Sequence, residues 1–408
     1  MIKFSKGGCN VNILFLSLLD FNSFSERNIY CDLLREFIKN GHNVYCVSPT
    51  ERKNKISTHF EENGKLLKLK IGNIQKTNII EKGFSTLLIE PQFIHAIKKY
   101  FSDVKFDLVL YSTPPITFFK AVRFVKKRDN ARSYLMLKDI FPQNAVDLGI
   151  ISKTGLKGII YKYFRNKEKK LYSVSDKIGC MSQANVDYIL KHNPEVPAEK
   201  VEICPNCIEV QDLQLSEEER TKMREKYGIP LDKKVFIYGG NLGRPQDVPF
   251  IVECLKKCSG IENAFFAIAG GGTDRHFLEE YVENEKPNHV KLFSYIPKEE
   301  YDRMIACCDV GLIFLDHRFT IPNFPSRLLS YMQASLPVLA CTDTNTDVGE
   351  IIVEGGFGWW CESDNADNFC SLIKRCCRVD IIEMWKKSFE FLKGNFSSEK
   401  IFKSSKWV

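Results

Sequence analysis

The sequence predicts an α/β protein made of two doubly wound, Rossmann-like domains, each a parallel sheet covered on both faces. Three observations carry this. Short apolar strands alternate with helical patterns almost throughout; the alternation restarts after a polar, charged stretch at 209–233; and 408 residues exceed what one ordinary core organises. The seam near residue 209 is also a charge boundary. Residues 1–208 hold 33 Lys and Arg against 20 Asp and Glu, a net +13, whereas residues 209–408 hold 25 against 31, a net −6. The expected domains are 1–208 and 209–385. A C-terminal helix at 386–408 has the first domain as its candidate docking place.

The first series opens with VNILFLSLL, which stops at Asp20. A helix follows from about Glu26 to Asn40. Ile29, Leu33, Leu34, Phe37 and Ile38 are expected on its inner face and Gly41 at its C-terminal cap. Strands are then expected at 43–48, 106–113, 133–139, 176–182 and 201–206. The second series has strands at 234–240, 265–272, 290–296, 310–315, 337–342 and 356–361. In a doubly wound sheet, ligands sit outside the carboxyl ends of the strands, so the loops there are the candidates for chemistry.

Composition narrows the classes. With 44% apolar and 27% charged residues the chain is globular rather than disordered. No apolar run reaches the length of a membrane span, and MIKFSKGGCN is too short and polar for a signal peptide, so a cytoplasmic protein is expected. The 15 cysteines lack regular spacing, and several fall inside apolar strands, which fits reduced, buried thiols. Cys204 and Cys207 have C-x-x-C spacing, but no second close pair completes a metal set. The basic half suggests an anionic partner. Stretches 116–128 and 156–170 interleave aromatic and aliphatic residues with Lys and Arg, which suits an anionic membrane surface. Packed helices with solvated basic faces give the same pattern. No recognised nucleic-acid module accompanies the charge, so nucleic acid is not expected.

Two glycine-bearing loops follow second-series strands, YGGNLGRPQDVPFI from Tyr238 and AIAGGGTDRHFLEEY from Ala267, and in a third, VKLFSYIPKEEYDRM from Val290, Pro297 starts a helix with Glu299 and Glu300 in its first turn. Glycine permits positive φ and close approach of backbone N–H groups to a phosphate. A tight βα turn also wants glycine for its own sake. The segment TIPNFPSRLLSYMQASLPVLACT, Thr320–Thr342, reads as loop, helix and buried strand, with Arg327 at the helix start. A helix N-terminus carrying a cation is an anion site, and the same segment also reads as an ordinary capped αβ unit.

The ordered set, strand-GGNLG, strand-GGG, Tyr-Ile-Pro-x-Glu-Glu, CCDVGLIFL, Pro-Ser-Arg and SLPVLA, resembles the donor-binding domain of family 4 glycosyltransferases with the GT-B fold. In the first half, VEICPNCIEV resembles the family's segment leading into the hinge, and YSTPPITFFKA and LKDIFPQNAVDLG resemble segments of the branch that builds bacterial capsule and O-antigen (lipopolysaccharide) polysaccharides. The resemblance covers about residues 11 to 390. Cys207 stands where the family has Gly, and Phe141 where this branch has Trp. Pro322 and Ser330 replace the paired glutamates, Asn241 and Gln246 replace an Arg and a Lys, and LLDFNSFSERN at 18–28 replaces a Gly-Gly loop.

The resemblance implies two domains facing across a cleft and a nucleotide-sugar donor, UDP-linked. Transfer would be retaining, of hexosyl or N-acetylhexosaminyl type, to a glycan or polyprenyl-diphosphate-linked sugar acceptor. No metal or other cofactor is obligatory, and the place of action would be the inner face of the cell membrane. The expected diphosphate-binding residues are Gly240, Asn241, Arg244, Ser326 and Arg327. Gly271, Tyr295 and Ser330 are expected at the nucleoside and sugar. Asp139, at a strand end on the acceptor side, is the candidate catalytic residue for an acceptor hydroxyl, with a turn cap as its alternative role. Asp20, Glu26 and Arg27 are further residues of the first βα loop, where a solvated loop accounts for them equally. The missing glutamates favour a catalytically impaired nucleotide-binding or scaffolding subunit as the alternative. A sugar-nucleotide epimerase ranks below it, because no acidic pair is evident in these loops.

Overall fold

The structure, a computed structural model, describes residues 10–75, 77–294 and 296–407. The chain forms two compact units, residues 1–209 with 398–408, and residues 210–397.

The sheet of the first unit has eight strands, β1 (Asn12–Leu16), β2 (Asn43–Glu51), β3 (His59–Glu61), β4 (Leu66–Ile71), β5 (Leu108–Ser112), β6 (Arg132–Leu137), β7 (Lys177–Cys180) and β8 (Val201–Ile203), in the order β3-β4-β2-β1-β5-β6-β7-β8. All neighbours are parallel except β3 with β4. Ile13 pairs with Val44 on one side and Leu108 on the other, so β1 is central and its four residues from Ile13 to Leu16 are buried.

The first helix, Ile29–Lys39, is capped by Asn28, whose side chain accepts from the amides of Tyr30 and Cys31. Gly41 lies beyond it with φ +86°, a conformation open to glycine. Its inner face differs from expectation: Ile38 is exposed and Ile29 only half-buried, while Asp32 and Glu36 are buried. Arg35 pairs with Asp32 at 2.6 Å and with Glu209 at 2.9 Å, and Lys39 reaches both Glu36 and Glu209, so the carboxylates enter with their cations.

Strands β3 and β4 were not anticipated. LLKLKI reads poorly as buried strand because of its lysines, yet Lys68 is buried and its ammonium binds the Asp20 carboxylate and the carbonyl of Phe21. Asp20 therefore ties the first βα loop to the sheet.

The last helix, Ser398–Ser404, belongs to the first unit, whereas Ile382–Asn395 belongs to the second. Trp407 is buried, packs against Phe37 and Tyr134 at centroid distances of 5.1 and 4.7 Å, and donates from its indole to Phe402 O at 2.8 Å.

The second unit holds β9 (Lys234–Asn241), β10 (Ala264–Gly271), β11 (Val290–Phe293), β12 (Val310–Phe314), β13 (Val338–Thr342) and β14 (Gly358–Glu362), in the all-parallel order β11-β10-β9-β12-β13-β14. Counted from β9 this is 3-2-1-4-5-6, the Rossmann order, with its reversal between β9 and β12. The β9–β10 ladder runs from Lys234 to Asn241, but β9 and β12 pair only at Phe236↔Val310 and Ile237↔Gly311. The two strands therefore part towards their carboxyl ends, where a doubly wound sheet offers its crevice.

Candidate functional site

Where β9 and β12 separate, two glycines admit two tyrosines. A Cβ on Gly239 would lie 1.4 Å from Tyr301 Oη, and one on Gly311 would lie 2.4 Å from the Tyr331 ring. The Tyr331 hydroxyl accepts the Gly239 amide at 3.2 Å and donates to the Leu312 carbonyl at 3.0 Å. A side-chain oxygen thus bridges the two strands just beyond their last backbone pair. Burial pushes the phenols of Tyr238, Tyr301 and Tyr331 above the usual tyrosine range, so they are neutral hydroxyls at physiological pH.

Arg327 comes to this cluster from the first turn of Arg327–Gln333. Its guanidinium carbon sits 4.4 Å from the centroid of the Tyr238 ring, a cation–π contact of about 2 kcal/mol when desolvated. Arg327 Nη2 would be 3.4 Å from a Cβ on Gly240, whose φ is +125°. Nη1 is inaccessible to solvent and has no hydrogen-bond acceptor among the described residues. An unmet buried donor costs about 1–3 kcal/mol, more on a charged group, so this guanidinium is set up for an anion. The helix itself is seven residues long and Ser326 makes no side-chain cap to it. The formal charge of Arg327 is what the segment supplies.

Beside this cluster a cavity of about 720 Å³ opens at the ends of β9 and β10, lined among others by Gly240, Asn241, Gly271, Glu279, Ser294 and Tyr301. Its rim is braced by Arg275, which donates to the carbonyls of Gly270 and Phe293 and to Glu279 at 2.6 Å. Gly270 has φ +146°, and a Cβ there would meet Gly240 O at 1.9 Å, so the β9 and β10 ends touch backbone to backbone. Asn241 is fixed by its own contacts: its side-chain amide donates to Gln246 Oε1 at 2.8 Å and its backbone carbonyl accepts from the Tyr238 hydroxyl at 2.5 Å.

In the first unit, Asp139 follows β6. Its backbone and that of Lys138 donate to Thr113 Oγ1 at 3.1 and 2.9 Å, and its carboxylate accepts from Asn144 at 2.8 Å. Burial outweighs that hydrogen bond and pushes the carboxyl up to about 6. A carboxyl that titrates there exchanges protons near neutral pH.

The family described as Glycosyltransferase Family 4 matches residues 28–212, and the family described as Glycosyl transferases group 1 matches residues 219–380. The chain belongs to the family 4 glycosyltransferases. It is 24% identical over 324 residues to the probable glycosyltransferase WbjE of Pseudomonas aeruginosa, covering 79% of this chain and 78% of that one. It is 22% identical over 249 residues to the putative colanic acid biosynthesis glycosyl transferase WcaI of Escherichia coli K12, 60% of each chain. Among solved structures, Anabaena HepE in complex with UDP superposes with a TM-score of 0.66 at 12% identity, over 96% of this chain and 97% of that one. The sucrose-phosphate synthase of Thermosynechococcus elongatus gives 0.70 at 15%, over 96% of each. These likenesses show the fold, which is GT-B.

Within this glycosyltransferase the structure brings Gly240, Asn241 and Gly271 to the cavity, with Arg327 against Gly240. Arg244 and Ser326 are exposed and Ser330 is half-buried, and none of the three is among the cavity-lining residues. Tyr295 lies outside the described residues. The sequence reading missed Tyr238, Tyr301 and Tyr331, and also the Arg275–Glu279 brace. The available signal was Gly311, a glycine in an otherwise bulky strand. Cys204 and Cys207 are buried thiols, and burial raises the latter. Among the described residues, Asp247, Asp316 and His317 place ligand-type atoms within 4.8 Å of one another, but Asp316 is already ion-paired with Arg318.

Proposed function

We propose that this glycosyltransferase binds a UDP-linked sugar in the second unit and passes the sugar, with retention, to a glycan or polyprenyl-diphosphate-linked acceptor in surface polysaccharide synthesis. The observation that carries the donor site is Arg327: a half-buried residue whose guanidinium Nη1 is shielded from solvent with its donor unmet among the described residues, against a glycine of positive φ, beside a cavity of about 720 Å³. As the bond to the anomeric carbon breaks, charge grows on the leaving diphosphate. Arg327 and the N–H groups near Gly240 would stabilise that charge without reorganising. Arg244, Ser326 and Ser330 are placed farther out in this reading, Arg244 as an exposed cation for the diphosphate. Asp139, titrating at about 6, is ionised for the most part at neutral pH and would take the acceptor's proton.

The UDP assignment is supported by HepE, solved with UDP and with UDP-glucose. The polysaccharide assignment is supported by the colanic acid name of WcaI and by WaaG, described as involved in lipopolysaccharide biosynthesis. The donor sugar, hexosyl or N-acetylhexosaminyl, is set by residues at positions such as Pro322 and Ser330, where the family's glutamates are replaced. That replacement also favours a second reading, a nucleotide-binding subunit without transfer activity.

Thermal stability measured against a panel of nucleoside diphosphates, with wild type and Arg327→Ala, tests the donor site, since a ligand of the folded state raises apparent stability by mass action. Selective stabilisation by UDP that is lost in Arg327→Ala is expected. No response to any nucleotide overturns the donor reading, and binding without hydrolysis or transfer of any UDP-sugar would establish the subunit without activity.

A further inference from the structure

Of the two basic, apolar-interleaved stretches, the structure separates one from the other. Helix Phe119–Asp129 buries Ala121, Val122 and Val125 and is an ordinary packed helix with a basic outer face. Helix Gly155–Val174 inverts the pattern. Leu156 is 86% exposed and Ile159 67%, and Ile160 and Tyr163 are exposed too. Their spacing, i, i+3, i+4, i+7, is that of one helical face, and here the apolar face looks into solvent. The opposite side is held by buried Gly158, Glu168, Leu171 and Tyr172, with Glu168 bonded to Arg165 at 2.5 Å and Tyr172 at 2.7 Å.

Two features sit with the stripe. Lys153, Lys157 and Lys162 are exposed around it, and between Asp147 and Glu168 the chain has no carboxylate. A second exposed stripe, Phe84, Leu87 and Leu88, with Phe84 66% exposed, lies on helix Ile79–Tyr100. The two helices approach just beyond each stripe, where Lys167 Nζ stands 3.9 Å from Glu90 Oε2. Isolated exposed apolar residues are ordinary, but two helical stripes beside a cation-rich, anion-free segment are not.

We propose that this face of the first unit docks on an anionic lipid bilayer. Leu156, Ile159, Ile160 and Tyr163 enter the boundary between headgroups and acyl chains, and Lys153, Lys157 and Lys162 meet lipid phosphates. Phe84 and Leu87 add a second point of insertion, which fixes the orientation of the unit on the surface. Charge selects the bilayer over a second copy of the chain: the first half carries +13 and repels its like. The proposal rests on the lipid-linked acceptor reading for its purpose, since such an acceptor lies in the same surface.

The test is co-sedimentation of the full chain with vesicles of phosphatidylglycerol and phosphatidylcholine in equal parts, against phosphatidylcholine alone. Binding to the anionic vesicles, weakened by salt, is expected. The double variant Leu156→Asp/Ile159→Asp should bind at least about tenfold more weakly, and Lys157→Gln about fivefold. Both sites are exposed, so thermal stability and the UDP response should match wild type. An intact UDP response with no vesicle binding, or binding that the double variant retains, overturns the docking face and leaves the donor site standing. Vesicle binding without any nucleotide response supports the face and sinks the transferase reading. A change of oligomeric state in the double variant without lipid, at unchanged vesicle binding, assigns the face to self-association and overturns the proposal.

Discussion

The hydroxyl of Tyr331 accepts the Gly239 amide at 3.2 Å at the point where β9 and β12 cease to pair. By donating onward to Leu312, the same oxygen holds the two strands apart without leaving a buried amide unmet. It also places the Tyr331 ring in the space left by Gly311, in the cluster that receives Arg327.

Tyr331→Phe keeps the ring and removes the bridge. We expect a stability loss of about 1–3 kcal/mol, because two buried groups lose their partner. UDP affinity should fall by roughly fivefold, the equivalent of about 1 kcal/mol, as the Gly239–Gly240 turn loosens. Calorimetric titration beside denaturant unfolding separates the two effects. Unchanged UDP affinity at reduced stability would make Tyr331 a purely structural residue.

Gly239→Ala puts a methyl on the Tyr301 phenol. The cost should be about 1–3 kcal/mol, with loss of nucleotide binding as Tyr301 is displaced from the cavity wall. The companion Tyr301→Leu should restore stability in the double variant, so the two changes are non-additive. Equal costs in the single and double variants would refute the steric account.

Asp139 gives a pH signature. Its folded-state pKa, about 6, lies above the ordinary value of 3.8. Its contribution is therefore fully present below about pH 4 and is lost as pH rises through 6. Asp139→Asn should accordingly gain stability over wild type between pH 4 and pH 7, by at most about 3 kcal/mol. In a transfer assay, wild-type kcat should rise with pH through an apparent pKa near 6. The variant should be slower by about 10²–10⁴-fold. Lost activity without a change in the pH profile would assign Asp139 to the turn alone.

Trp407→Ala should cost about 3–5 kcal/mol, from lost packing on Phe37 and Tyr134. Limited proteolysis should show that loss in fragments of residues 1–209. Fragments confined to 210–397 would contradict it.

The strands of the second unit were legible because each is a short apolar run closed by glycine or a turn residue, a purely local signal. Gly240 and Arg327 were legible for the same reason. What escaped was non-local. Lys68 reads as a solvent residue until Asp20, 48 residues earlier, supplies its partner. Ile38 reads as core until Asp32 and Glu36 take its place with Arg35 and Lys39. The tyrosine cluster depends on residues 238, 301 and 331 converging on gaps left by two glycines, and no periodicity within any one segment encodes that. The exposure of Arg244 was likewise not legible, since a cation in a glycine turn reads the same whether it faces solvent or a cavity.

Because residues 398–407 complete the first unit's core while 210–397 form the second unit, the chain visits its first unit twice. During synthesis the first sheet emerges early, but the space against Phe37 and Tyr134 stays open until Trp407 leaves the ribosome. The half that begins first is thus completed last, by residues that follow the whole second unit in the sequence.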